Sequence, residues 1–159
     1  MPTIALRTVV DAPPDRVFDL ARSVEMHTES MAASDERAVA GVTEGLLDAG
    51  DRVTWRARHF GVPFELTVEL TAFDRPRHFR DEQVAGPFEA MCHDHYFEAI
   101  ESDGETPRTR MRDEFCFRSP LGPLGTLADR AVLERYVTRL LTERNVLLKR
   151  VAENGDVNE

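Results

Sequence analysis

From Glu36 to Arg118 the chain follows a two-residue apolar–polar alternation broken by turn segments, and it then changes to a long helical period. That succession admits few folds. Strands are expected at 36–45, 51–60, 63–73, 78–85, 88–101 and 108–118. Their separators carry turn chemistry: Asp48-Ala49-Gly50, Gly61-Val62-Pro63, Asp74-Arg75-Pro76, Gly86-Pro87 and Ser102-Asp103-Gly104. Connections this short join antiparallel neighbours and leave no room for crossovers.

The hairpin 51–73 constrains its own register. Pairing residues whose numbers sum to 123 sets Val53 against Leu70, Trp55 against Val68, Ala57 against Leu66 and His59 against Phe64. The opposite face then pairs Arg58 with Glu65, Arg56 with Thr67 and Thr54 with Glu69. One face is apolar and the other polar with matched charges, as a half-buried sheet requires.

The strand expected at 3–11 precedes this block, and Asp11 with Pro13-Pro14 ends it and starts a short helix whose apolar side is Val17, Phe18, Leu20 and Ala21. A second helical stretch follows from Val24 to Ala33. At the other end, PLGPLG leads to a helix with Thr126 as N-cap and Asp129 in its first turn. Leu133, Tyr136, Val137, Leu140, Leu141, Leu147, Leu148 and Val151 form its stripe, and Asn154-Gly155 is a stop signal. At 1.5 Å per residue, about 28 residues span ~42 Å, enough to cross a sheet. The fold class is therefore α+β, in the order β-α-α-β6-α, with the curved antiparallel sheet wrapped around the C-terminal helix. The expected organisation is one domain over residues 1–159.

Composition removes whole classes of function. The formal net charge is −9, from 20 basic and 29 acidic residues, so the molecule repels phosphate backbones and anionic membrane surfaces; no nucleic-acid partner is expected. No apolar run approaches the ~18 residues of a membrane span. MPTIALRTVV lacks the layout of a signal peptide, which makes the cytoplasm the expected location. Cys92 and Cys116 form no CxxC motif and are expected as reduced thiols facing each other across two strands.

The element order, with APPDRVFDLARS, AVAGVTEG, GDRVTWRARHFG, RPRHFRDEQVAGPFEAMCHDHYFE and RMRDEFCFRSPLGPLG, resembles the START-like superfamily over essentially the whole chain. Within it, the chain resembles the polyketide cyclase/dehydrase-type, helix-grip ligand-binding proteins. The resemblance implies a cavity between the concave sheet and the last helix, and a lipophilic small molecule as partner. It fixes no activity, because the superfamily holds carriers, receptors, cyclases, hydrolases and regulatory modules without a shared catalytic motif. A carrier or binding protein is the first reading. A cyclase, dehydrase or hydrolase acting on a polyketide-like or aromatic substrate is the second, and a regulatory interaction module without turnover is the third. Association into a homodimer stays open.

Polar residues on the inner face are the candidates for chemistry. Met91, His93, His95 and Phe97 share one parity of their strand, and Met111, Asp113, Phe115 and Phe117 share one parity of the next. A turn near Gly104 makes opposing numbers sum to 208 and sets His95 against Asp113. A turn at Gly86-Pro87 makes them sum to 174, which sets Asp81 against His93 and Gln83 against Met91. Two acid–His pairs result, Asp81–His93 and Asp113–His95.

Such a pair can simply satisfy buried polar groups and fix register. It can also orient a ligand, or move a proton when a carboxylate holds the imidazole, so His95, Asp113 and His93 are the catalytic candidates. His-x-His on a strand has metal-ligand chemistry, yet spacing anchors no third ligand, and neither metal nor cofactor is expected. Trp55, His59, Phe64, Asp81, Gln83, Met91, Phe97, Phe115 and Phe117 are the expected ligand-binding residues. Trp55 is read primarily as core, His78 as solvated, and His27 primarily as an exposed helix histidine, with the pocket mouth as its alternative position.

Overall fold

The computed structural model describes residues 2–119 and 132–154. Strand β1 (Thr3–Val10) leads into helices α1 (Pro14–Ala21) and α2 (Val24–Ser30) and a 3-10 turn at Ala32–Ser34. Six strands follow: β2 (Arg37–Gly41), β3 (Arg52–His59), β4 (Val62–Asp74), β5 (His78–Ala85), β6 (Ala90–Ile100) and β7 (Arg108–Arg118). Helix α3 (Glu134–Asn154) comes last. The expected cap at Thr126 and the first turn at Asp129 lie outside the described residues.

The strands form one antiparallel sheet in the order β1-β7-β6-β5-β4-β3-β2. The first strand thus pairs with the last, Ile4 against Phe115 and Thr8 against Met111. Register irregularities at Ala38/Ala40, Thr67/Val68 and Leu70/Ala72 bend the β2–β5 side, since a bulge kinks and twists its strand. The curved sheet with its long C-terminal helix is the helix-grip arrangement.

The β3–β4 register departs from the expected one. Its pairs sum to 121, so Val53 opposes Val68, Trp55 opposes Leu66 and Arg56 opposes Glu65. The turn is the two-residue Phe60-Gly61, with φ of 54° and 76°, a residue earlier than a turn centred on Gly61-Val62. Left-handed conformation at both central residues marks the type I′ hairpin turn, whose twist matches the strands. A shift of two leaves every side chain on its face, so the apolar face survives the change of partners.

Phe18 of α1 is wholly buried and meets Phe73, Phe79 and Phe97 edge-on at centroid distances of 5.4, 5.3 and 5.2 Å. The end of α3 is fastened to this region. Arg16 donates from Nε to Ala152 O (2.9 Å) and from Nη2 to Val151 O (3.2 Å), and Lys149 Nζ donates to Val9 O (2.7 Å). These cations bind or neighbour the carbonyl-rich end of the helix, where positive charge is favoured. Leu141, Arg144, Asn145, Leu148, Val151 and Ala152 are the buried residues of α3, while Leu133, Tyr136, Val137 and Leu140 are half-buried.

Candidate functional site

Between the inner sheet face and α3 lies a cavity of ≈ 450 Å³. Trp55, Leu66 and Leu70 of β3–β4, Phe79, Met91 and Phe115 of β5–β7, Leu133 just before α3, and Val137 and Leu140 of α3 give it apolar walls. His59, Phe64 and the exposed Phe60 line its solvent-facing side. There His59 Nδ1 and the Tyr136 hydroxyl share a 2.6 Å hydrogen bond from β3 to α3. Burial holds the His59 pKa below its ordinary value, with Glu36 opposing, so the neutral imidazole predominates.

The deep end is polar. Asp81 comes from β5, His93 and His95 from β6, Asp113 from β7, and Arg144 and Asn145 from α3. Asp113 is only 1% exposed and is the hub. One oxygen accepts from His93 Nε2 at 2.9 Å, the other from Asn145 Nδ2 at 2.8 Å, and Arg144 Nη1 stands 3.4 Å away. His95 Nδ1 lies 3.2 Å from the same oxygen as His93 but out of line for a hydrogen bond. The other nitrogen of His95, Nε2, lies 2.8 Å from Asp81 Oδ1. Arg144 also donates to Asn145 Oδ1 and to the carbonyl of Ala21, tying the site to the end of α1.

The network thus crosses the expected pairs. The Cα register is the anticipated one, with His95 opposite Asp113 and Asp81 opposite His93. The hydrogen bonds instead run diagonally, His93 to Asp113 and His95 to Asp81. His95 stacks on its direct partner Phe79, centroids 4.2 Å apart, and from there its Nε2 reaches along β5. Diagonal neighbours across strands lie within reach of long or aromatic side chains.

Burial pushes each member toward neutrality, and the neighbours decide the outcome. For Asp113, burial is outweighed by His93, His95 and Arg144, and its pKa falls well below the ordinary value. Asp81 is lowered as well, because His95 overcomes its desolvation. Burial also opposes the charged form of His95, yet the Asp113 and Asp81 carboxylates prevail and raise its pKa. His93 goes the other way: burial and the charge on His95 hold it below its ordinary value. Two adjacent imidazoles with ring centroids 3.7 Å apart are therefore pushed in opposite directions.

Of the expected site residues, Trp55, His59, Phe64, Asp81, Met91, His93, His95 and Phe115 line the cavity. Asp113 stands behind the histidines and does not line it. Phe97 packs against Phe18, and Phe117 is fully buried beside Phe88 and Phe115, so both belong to the solid core. Gln83 is turned aside, its amide exchanging hydrogen bonds with the backbone of Phe88, and the β5–β6 ladder stops at Glu82–Cys92 before reaching it.

His27, read primarily as exposed, instead stacks on Trp55 at 4.1 Å, bonds Glu36 at 2.8 Å and lines the cavity. Trp55 is both buried core and cavity wall. His78 is half-buried against Asp94 on the outer face. Arg144 and Asn145 were not among the sequence candidates, although a signal exists: they sit at i+3 and i+4 from Leu141, inside the apolar stripe.

No curated protein matches the chain in sequence. Solved structures do match in fold. A protein of Thermus thermophilus is 20% identical, with a TM-score of 0.69, over 96% of this chain and 100% of its own. A START superfamily protein of Mycobacterium smegmatis (9% identity, TM-score 0.69) covers 94% of this chain and 96% of its own. Ginseng major latex-like protein 151 from Panax ginseng (13%, TM-score 0.61) covers 95% and 97% respectively. The model of the polyketide cyclase/dehydrase and lipid transport family matches residues 1–153, and the chain belongs to that family.

Proposed function

We propose that the protein binds a small, mainly apolar molecule carrying one polar group. The body of the ligand lies along Trp55, Leu66, Phe79 and the first turns of α3, and its polar group meets Asp81, His93, His95 and Arg144. The carrying observation is the ≈ 450 Å³ cavity with carbon walls and a polar deep end. That volume suits a drug-sized molecule, and a few convergent polar groups in an apolar pocket supply orientation and specificity.

Native mass spectrometry of protein purified from its own host is expected to show a co-purified small molecule. Trp55, the only tryptophan, lines the cavity and reports its displacement by changed fluorescence. Protein that carries no small molecule, and whose Trp55 emission ignores apolar probes, refutes the reading.

A second reading rests on His93. Facing an ionised Asp113, its Nε2 must donate, which leaves Nδ1 of the neutral ring as an acceptor. An imidazole held in one tautomer by a buried carboxylate is a general base for removing a proton next to a carbonyl, the step that cyclisation and dehydration of polyketide-like substrates need. In that case His93→Gln abolishes turnover and preserves ligand binding; loss of affinity alone points back to the carrier.

A further inference from the structure

We propose that Asp81, His93 and His95 form a binding site for one divalent transition-metal ion at the deep end of the cavity. The third ligand that linear spacing does not supply comes from the neighbouring strand. β5 runs beside β6 and brings Asp81 onto the inner face with the two histidines, and one ligating atom from each residue lies within 4.8 Å of the others. Donor atoms around a cation at about 2.1 Å stand ~3.0–3.4 Å apart, so small side-chain rotations close the set. The His95 Nε2–Asp81 Oδ1 distance is already 2.8 Å.

The shell behind the ligands argues for more than a chance cluster. A metal-ligating histidine characteristically gives its second nitrogen to a carboxylate, which fixes the ring and strengthens it as a donor. Asp113 stands in that position for both rings, 2.9 Å from His93 Nε2 and 3.2 Å from His95 Nδ1. It is itself held by Asn145 at 2.8 Å, so the orienting carboxylate does not swing away. Among the described residues His95 Nδ1 is a buried polar atom without a hydrogen-bond partner. A small rotation that brings Nε2 onto a metal would let Nδ1 align with Asp113.

The donor set selects the ion. Two imidazoles and one carboxylate suit Zn²⁺, Co²⁺, Ni²⁺ or Fe²⁺ and not Ca²⁺ or Mg²⁺, which prefer all-oxygen shells. With neutral imidazoles, Asp81 and Asp113 against Arg144 leave the group one net negative charge. A divalent ion reverses that to one positive charge. Three protein ligands leave coordination positions directed into the cavity, so the bound ion would take an anionic or enolisable oxygen from whatever molecule enters. The metal site goes beyond the binding of an apolar ligand and stands without it.

The test is titration of the untagged, full-length, chelator-treated protein with CoCl₂ and with ZnSO₄, without any organic ligand. One Co²⁺ per chain is expected, with the visible ligand-field absorption of a His/carboxylate site, displaced by Zn²⁺. His95→Gln and Asp81→Asn should remove the saturable signal. Asp113→Asn, which orients without ligating, should weaken binding about 10–100-fold. His78→Gln, on the outer face, should change nothing.

Paramagnetic Co²⁺ should also shift or broaden the His93 and His95 ring resonances of the wild-type protein, which needs no variant to fold. Absence of saturable one-to-one binding by the wild type overturns the proposal. So does a signal that survives His95→Gln in a folded variant, or one that leaves the His93 and His95 resonances untouched.

Discussion

Replacing Asp113 by asparagine keeps the shape of the hub and removes its charge. The two close donors, His93 Nε2 and Asn145 Nδ2, sit on different oxygens. An amide has one oxygen, so one of these donors must face an NH₂ group. Asn145 cannot simply flip, because its own oxygen accepts from Arg144. Losing one hydrogen bond to a charged group costs about 1.5–3 kcal/mol. Arg144, only 4% exposed, also loses its nearest counter-charge, and breaking a buried ion pair typically costs about 3–5 kcal/mol. A loss of about 3–5 kcal/mol is therefore expected for the variant.

The pH dependence carries the sharper test. Asp113 has a depressed folded pKa, so its contribution is present above its unfolded value and fades as pH falls through the folded one. His95 has a raised folded pKa, so its contribution is present below its unfolded value and fades as pH rises through the folded one. Both are fully present only between the ordinary values, roughly pH 4 to 6.5. His93, already lowered, resists protonation more strongly once Asp113 is gone, which destabilises the variant further below about pH 6.5. The stability gap should peak in that window and narrow beyond it. Urea unfolding of both proteins across the pH range measures the gap, and NMR titration follows His95, whose pKa should drop in the variant. A gap below about 1 kcal/mol, or one independent of pH, refutes the hub.

Leu148 is fully buried in α3, and Leu148→Ala should lower stability by about 2–5 kcal/mol in chemical denaturation. Leu140→Ala, at a half-buried cavity-lining position of the same helix, should cost about 1 kcal/mol or less while changing the affinity for apolar fluorescent probes; equal costs at the two positions contradict the cavity. Cys92 opposes Cys116, and burial first, then Cys116, pushes its thiol pKa up to about 11. Its alkylation near pH 8 should be roughly two orders of magnitude slower than that of a free thiol, resolved by peptide mass spectrometry, and labelling at free-thiol rates contradicts this.

Parity is the most legible property of the sequence. The alternation along β6 and β7 puts His93, His95 and Asp113 on the inner face, and the short turn near Gly104 sets their register. The β3–β4 register is less legible, because an apolar face tolerates a shift of two, and a left-handed Phe60 carries no compositional signal of the kind glycine gives. Hydrogen-bond partners are not legible either: a register specifies which Cα atoms face each other, while ring stacking on Phe79 decides which carboxylate His95 reaches. His27 reads as solvated because α2 is short and polar, and only its docking beside β3 brings the ring onto Trp55. Arg144 joins the site through contacts between elements far apart in sequence. Linear spacing carries no trace of such contacts unless a polar residue interrupts an apolar stripe, as Arg144 does.

The two halves of α3 answer to different demands, and this division explains the placement of the polar hub. The C-terminal half packs Leu148, Val151 and Ala152 into protein and is fastened by Arg16 and Lys149, so it anchors the helix against β1 and α1. The N-terminal half turns Tyr136, Val137 and Leu140 toward open volume, where half-burial is what a cavity wall should show. Arg144 and Asn145 sit between the halves. Buried polar groups are tolerated only when partnered, and Asp113 satisfies both residues from the sheet. Because Arg144 and Asn145 can meet Asp113 only at one helical position, the bond fixes how far α3 slides along the sheet. The same carboxylate accepts from His93 Nε2, so the residue that positions α3 also aims the imidazole at the deep end of the cavity.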